Sequence, residues 1–266
     1  MHPFVFLNGE FLSAGEARAP VISEACFYGR GVFTTVAVSD SRSNAWEKHS
    51  RRLASDAASL GLDLYAFDES ATFAALQELI DRNHVRDGRA RITLFDGSPA
   101  RIWTNGGDKA VGLAIVTAGS RPVAAFYRLT LSPYRVNTTS PLAGIKSCNY
   151  LEPLMAVQDA KARGFDEGIR LNERGEVTSA CLANVFWVKG ERLFTPSLKT
   201  GCLAGTTREF ILENLECEEA EAGIEALLEA DEIFLTSAGI GAVQAAEFEG
   251  RRLTLAERPI TRLLPF

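Results

Sequence analysis

Residues 142–153 read LAGIKSCNYLEP, and the role of Lys146 within them decides how the chain is to be read. The lysine stands one residue after Ile145, at the end of a Gly-containing apolar turn and just before a run that suits a helix. A lysine in such a place can snorkel, laying its stem over apolar surface while the ammonium stays in water. It can equally be an amine used in chemistry. Nothing inside the twelve residues separates the two, so the surrounding chain has to.

With 266 residues, 46% hydrophobic and 23% charged, the composition is that of an ordinary globular protein, long enough for one or two domains of about 100–150 residues. A net charge of −6 and a pI near 5.3 argue against nucleic acid or an anionic membrane as partner, because either needs a clustered positive field. A small-molecule substrate fits better. MHPFVFLNGEFLSAGEARAP has neither a basic n-region nor a continuous apolar core, and no later stretch approaches the roughly 18 apolar residues of a membrane span. The chain is therefore expected to be soluble and cytoplasmic. Its five cysteines (26, 148, 181, 202 and 217) are odd in number and form no CxxC pair, so neither a full disulfide framework nor a zinc site is indicated.

Four runs suit strands: FVFLNGEFL, GVFTTVAV, RARITLFD and GLAIVTA. They enclose two helical patterns. Near 47–60, Leu53, Ala57 and Leu60 share a face, and near 68–84 Phe73, Leu76 and Ile80 do the same. TAGSRPVA, at 117–124, breaks the pattern with Gly, Ser and Pro and is the natural linker. The reading is α+β with two domains, 1–118 and 125–266, joined by residues 119–124. The acidic stretch ECEEAEAGIEALLEADE, at 216–232, is expected to be a solvated helix face.

The usual catalytic signatures are missing: GxxxxGK[ST], GxGxxG after a strand, HExxH and GxSxG do not occur. With His2, His49 and His84 as the histidines, a metal cluster or a Ser-His-Asp triad has little material. LAGTTREFILEN, at 203–214, says more. Gly205, Thr206 and Thr207 sit where a loop enters an amphipathic helix, so its free N–H groups and dipole would face an anion; a threonine acting as a plain N-cap is the other reading. TSAGIG, at 236–241, follows the strand-like EIFL and can add donors. HSRRL, at 49–53, brings a guanidinium to a helix, as surface charge or as ligand. Three anion-friendly elements and one lysine, without a P-loop or metal, suit pyridoxal 5'-phosphate.

The resemblance is then specific. FYGRGVFTT, HSRRL, IKSCNYL, GFDEGIRLNERGEVTSACLANVFWV, LFTPSLKTGCLAGTTR and DEIFLTSAG follow one another as the motifs of class IV aminotransferases do. These are the fold-type IV pyridoxal-phosphate enzymes, which include branched-chain and D-amino-acid aminotransferases and 4-amino-4-deoxychorismate lyase. The resemblance implies a smaller N-terminal α/β domain, a larger C-terminal domain, the cofactor in the cleft, and a homodimer. It matches Lys146 to the Schiff-base lysine and Arg52 to the arginine on the cofactor phosphate. Thr206 and Thr207 match the phosphate-binding pair, Ser237 and Ala238 the second phosphate turn, and Tyr150 the tyrosine directed at the cofactor's 3'-oxygen. Asn184 belongs to the pattern too, with fixing a turn by side-chain hydrogen bonds as its expected role.

One position departs from the family. In the frame GEVTSACLAN the family carries a glutamate paired with the pyridine nitrogen, and this chain has Ser179. A serine can share a hydrogen bond and cannot supply the charge that makes the ring a strong electron sink. Amino transfer depends heavily on that sink, whereas an elimination with a ready leaving group tolerates a weaker one. Thr34 in GVFTT, the LAGIK approach to the lysine and Ala238 also resemble the aminodeoxychorismate lyases. The expectation is a lyase in which Lys146 is cofactor anchor and base and Thr34 or Thr35 helps position the substrate, with Arg30, Arg91 and Arg101 available for its carboxylates. An aminotransferase for D-alanine or branched-chain amino acids, and a cofactor-binding protein without catalysis, are the alternatives.

Overall fold

The computed structural model describes residues 1–62, 68–105, 110–120 and 122–263. They divide into two compact units, the first from Met1 through the strand that ends at Gly119, joined by Ile145–Asn149, and the second Pro122–Gly144 with the chain from Tyr150 onward. The five residues around Lys146 thus pack with the first unit although the sequence division puts them in the second.

The first unit begins with β1 (Phe4–Leu7) and β2 (Glu10–Ser13), followed by the short helix α1 (Glu24–Tyr28). Then come β3 (Gly31–Ser39), β4 (Arg42–Ser43), α2 (Trp46–Ser59), α3 (Glu69–Arg82), β5 (Gly88–Asp96) and β6 (Val111–Gly119). The run FVFLNGEFL is two strands rather than one. Asn8 and Gly9 take positive φ and make the two-residue turn of an antiparallel hairpin, with Leu7 opposite Glu10. The sheet runs β2-β1-β6-β5-β3-β4, antiparallel throughout.

Both long helices bury one stripe against the core formed with β3, β5 and β6. Leu53 and Ala57 come from α2, and Leu76, Leu79 and Ile80 from α3. Phe73, expected in that stripe, lies at its rim, 40% exposed and packed on the Trp46 ring. Burying each of these leucines and the isoleucine contributes roughly 1.5–3 kcal/mol. The Asp68 side chain caps α3 by accepting from Ala71 N–H.

The second unit contains β7 (Phe126–Leu131), α4 (Leu151–Ala162), β8 (Glu167–Leu171), β9 (Val177–Ala180), β10 (Asn184–Lys189) and β11 (Arg192–Pro196). It continues with α5 (Thr206–Asn214), β12 (Glu218–Ala220), α6 (Glu225–Leu228), β13 (Glu232–Ser237), β14 (Gly241–Phe248), β15 (Arg251–Arg252) and α7 (Pro259–Arg262). Its sheet runs β12-β11-β10-β13-β14-β7-β8-β9, with β15 against β14. β7 is parallel to both its neighbours. The sequence 216–232 is therefore not one solvated helix: it makes β12, the single turn α6 and the start of β13. Its acids have partners that explain this. Glu219 pairs with buried Arg208, and buried Glu232 pairs with Arg258 at 2.7 Å and accepts from Gln244 at 2.9 Å.

Candidate active site

The residues around Lys146 are held by backbone first. Phe33 N–H donates to Lys146 C=O at 2.9 Å and Cys148 N–H to Gly31 C=O at 2.8 Å, so a single antiparallel bridge, Val32 opposite Ser147, ties the segment to the start of β3. This approach needs glycine at 31, where a Cβ would stand 2.8 Å from Leu94 O and 3.1 Å from Cys148 Sγ. Lys146 Nζ lies 4.6 Å from the centroid of the Phe33 ring. The Arg91 guanidinium from β5 covers the same ring at 3.6 Å.

Strand alternation divides β3. Val32, Thr34 and Val36 are fully buried and face the helices, while Thr35 is paired across the ladder with Arg91. Thr34 Oγ1 accepts from Arg52 Nη2 at 2.8 Å and lies 2.6 Å from His49 Nδ1. Thr34 therefore positions Arg52 and His49; the expected role beside the substrate does not suit a hydroxyl turned toward α2 and engaged twice. The hydroxyl can give its own proton to Nδ1, a pattern that suits a neutral imidazole protonated at Nε2. Burial, with Arg52 and Lys146 adding positive potential, drives the His49 pKa down to about 3.

Lys146 is shifted by the same physics. Burial of the ammonium, then Arg52 and Arg91, lowers its pKa to about 7, against an opposing pull from Asp56. A lysine poised there exchanges protons near neutral pH, which ordinary lysines do not. Arg30 and Arg101 lie apart from this group. Arg30 is paired with Asp96 at 3.4 Å and donates to Leu60 C=O at 3.0 Å, and the Arg101 side chain is exposed. His49 and Asp56 were missed as site residues in the sequence reading, although HSRRLASD carries them at helical spacing with Arg52.

The second unit contains the other expected residues. Gly205 is the N-cap of α5, and no side chain caps the helix, so neither threonine is a plain N-cap. Thr206 and Thr207 form the first turn, both buried. A Cβ at Gly205 would fall 2.0 Å from Asn184 Oδ1. Asn184, on β10, donates from Nδ2 to Leu203 C=O at 2.8 Å and pairs in register with Thr236; it fixes the 203–205 turn as expected. Ser237 ends β13, its Oγ accepting from Gly239 N–H at 3.3 Å, and Ala238 occupies the turn that leads to β14. Ser179 is half-buried on β9, opposite Arg170 of β8. Arg170 is committed to Glu152 and to the carbonyls of Tyr134 and Arg135. Tyr150 is the residue before α4.

The chain belongs to the class IV aminotransferases: the family model Amino-transferase class IV matches residues 31–248. Aminodeoxychorismate lyase of Bacillus subtilis is 28% identical over 92% of this chain and 86% of that protein. D-alanine aminotransferase of Bacillus licheniformis is 27% identical over 97% and 93%. A branched-chain aminotransferase from Thermoproteus uzoniensis, solved with norvaline, superposes with a TM-score of 0.90 at 27% identity over 99% of this chain and 92% of that one. The fold is thus the two-domain fold-type IV architecture, and the family is pyridoxal-phosphate-dependent, which makes the chain a pyridoxal-phosphate enzyme.

The residues in place fit that cofactor. Thr207 Oγ1 and Thr236 Oγ1 are buried without a hydrogen-bond partner, at the open N-terminus of α5 and on the strand beside it. Burying a hydroxyl unpaired costs about 1–3 kcal/mol, and a phosphate monoester has the oxygens to use both. Among the described residues there is no group of three His, Cys, Asp or Glu side chains suited to a metal ion, and no helix is long and apolar enough to cross a membrane.

Proposed function

We propose that the chain is a 4-amino-4-deoxychorismate lyase, releasing pyruvate and 4-aminobenzoate, and that Ser179 is the observation that favours this over amino transfer. A half-buried hydroxyl stands where the family carboxylate would hold a proton on the pyridine nitrogen. Pyridoxal 5'-phosphate, when bound, supplies an aldehyde that takes up a primary amine and a conjugated ring that accepts the electrons of a bond broken beside it.

The rest falls to the chain. Lys146 is the amine that would hold the cofactor, and its nitrogen, with a pKa near 7, takes the substrate's C4 proton. The C3–oxygen bond then breaks and Lys146 returns a proton to the departing enolpyruvyl oxygen. Formation of the aromatic ring drives the step, so a weak sink suffices. Thr206 and Thr207, with the turn at Ser237 and Ala238, are assigned to the cofactor phosphate, and the family pattern gives a phosphate role to Arg52 as well, held by the Thr34 hydroxyl that His49 engages in turn. Tyr150 is assigned to the 3'-oxygen. Of the three arginines available for the substrate's carboxylates, Arg91 is favoured because it shares the Phe33 ring with Lys146.

The aminotransferase reading remains the second, supported by the D-alanine and branched-chain relatives. Product stoichiometry tests the choice. With aminodeoxychorismate made in situ, equal amounts of pyruvate and 4-aminobenzoate should form, at a rate far above amino transfer from D-alanine or leucine to a 2-oxo acid; the reverse order of rates sinks the lyase. We also propose a homodimer.

A further inference from the structure

The helix α2 turns three polar side chains toward Lys146, and the third has no role in the proposed reaction. Asp56 lies four residues after Arg52 and seven after His49, so an imidazole, a guanidinium and a carboxyl follow one another along one helix face. Asp56 is 7% exposed, on a helix that otherwise packs there through Leu53 and Ala57. A carboxyl so buried is unfavourable unless something holds it. What holds it is the lysine's own main chain: Lys146 N–H donates to Asp56 Oδ2 at 3.2 Å. Residue 146 is thus pinned from two sides, its C=O by β3 and its N–H by α2, which fixes where the side chain sets out over Phe33.

The charges around the lysine complete the picture. From α2 it faces His49, Arg52 and Asp56, from β5 Arg91, and on its own segment Cys148, whose thiol is pushed up by burial. Arg52 and Arg91 favour loss of the lysine's proton, and Asp56 opposes them. The interaction is mutual: burial raises the Asp56 pKa, while the Lys146 amide, Arg52 and the Lys146 ammonium draw it back.

We propose that Asp56 is the positioning residue of Lys146: its carboxylate fixes the lysine's main chain and, as a negative charge set among positive ones, keeps part of the amine population protonated near neutral pH, so that Lys146 can return a proton as well as take one. The proposal rests on the reading of Lys146 as the reacting amine, and it holds for elimination and amino transfer alike. In this proposal Asp56 acts through Lys146 and is given no role on cofactor or substrate.

The test reads Lys146 directly. Competitive acetylation of the full-length apoprotein with limiting acetic anhydride, followed by mass spectrometry of the Lys146 peptide, gives the pH midpoint of that amine without turnover. Asp56→Asn keeps an acceptor for the Lys146 N–H and removes the charge; the midpoint should fall by about one pH unit, and Asp56→Glu should restore most of it. An unchanged midpoint in folded Asp56→Asn protein overturns the proposal and leaves Asp56 a brace.

Should the asparagine variant not fold, the unmutated protein carries the same test. The 13C carboxyl resonance of Asp56 should inflect at the Lys146 midpoint, and a resonance indifferent to it overturns the proposal. Borohydride reduction of the holoprotein keeps the two readings apart. Reduced cofactor on another residue removes Lys146 as the amine, whereas cofactor on Lys146 with an unmoved midpoint removes Asp56 alone.

Discussion

At the scale of single residues, the site depends on where protons sit. An amine with a pKa near 7 is unprotonated, and so able to capture an aldehyde, above that pH. Uptake of pyridoxal 5'-phosphate by the apoprotein should therefore rise through pH 7 and level off, as followed by absorbance in stopped flow; a rise centred near the ordinary lysine value of 10.5 would contradict the buried site. His49 gives a prediction about stability. The folded protein resists protonating it down to about pH 3, whereas the unfolded chain takes the proton near 6.5. Between those values the unfolded state binds more protons, so His49 lowers stability as pH falls through that window, by at most about 1.4 kcal/mol per pH unit. His49→Gln should flatten this dependence between roughly pH 6 and 4.5 in urea unfolding, and an unaltered slope would show that the imidazole is not held neutral. Lys146 and Arg52 could be singled out from their motifs. Asp56 and His49 could not, because what marks them is the fold that brings α2 against residue 146, and no local pattern announces that contact.

At the scale of elements, the start of α5 is the sharpest feature. Thr207→Val replaces a buried, unpartnered hydroxyl with a methyl of similar shape, so the apoprotein should lose nothing and can gain stability. The holoprotein should lose a hydrogen bond to a charged group, weakening cofactor binding by about 10- to 100-fold. Thermal unfolding with and without cofactor, and a binding titration, check both halves; equal effects on the two forms would refute the phosphate site. Gly205→Ala pushes a methyl onto the Asn184 carboxamide and should destabilise both forms by about 1–3 kcal/mol. Helical spacing gave α2 and α3 because each buries a continuous apolar stripe. It misplaced Phe73, which sits where the stripe meets Trp46. The acidic run 216–232 misled for another reason: its carboxylates are matched by Arg208 and Arg258, from α5 and from just before α7, and pairing between distant segments leaves no trace in composition.

At the scale of the whole molecule, the order of six weak motifs along the chain carried the fold class and the cofactor, since each motif fixes one part of a common scaffold. It could not carry the reaction, because relatives on that scaffold have different activities; the replacement at Ser179 has to argue that point. Ser179→Glu supplies the missing carboxylate. In a lyase of this kind it should shift the balance of products toward amino transfer without raising 4-aminobenzoate formation, and a large gain in 4-aminobenzoate would show that ring charge limits the elimination after all. The proposed homodimer is checked by light scattering, which should give twice the 28.9 kDa chain mass.

The most direct measurement is 4-aminobenzoate release from aminodeoxychorismate generated in situ, run beside Lys146→Ala. Rapid release by the unmutated protein and a loss of about 10²- to 10⁴-fold in the variant are expected. Release at the unmutated rate from Lys146→Ala, or no release from a protein that carries the cofactor on Lys146, would rule out a lyase with Lys146 as its base.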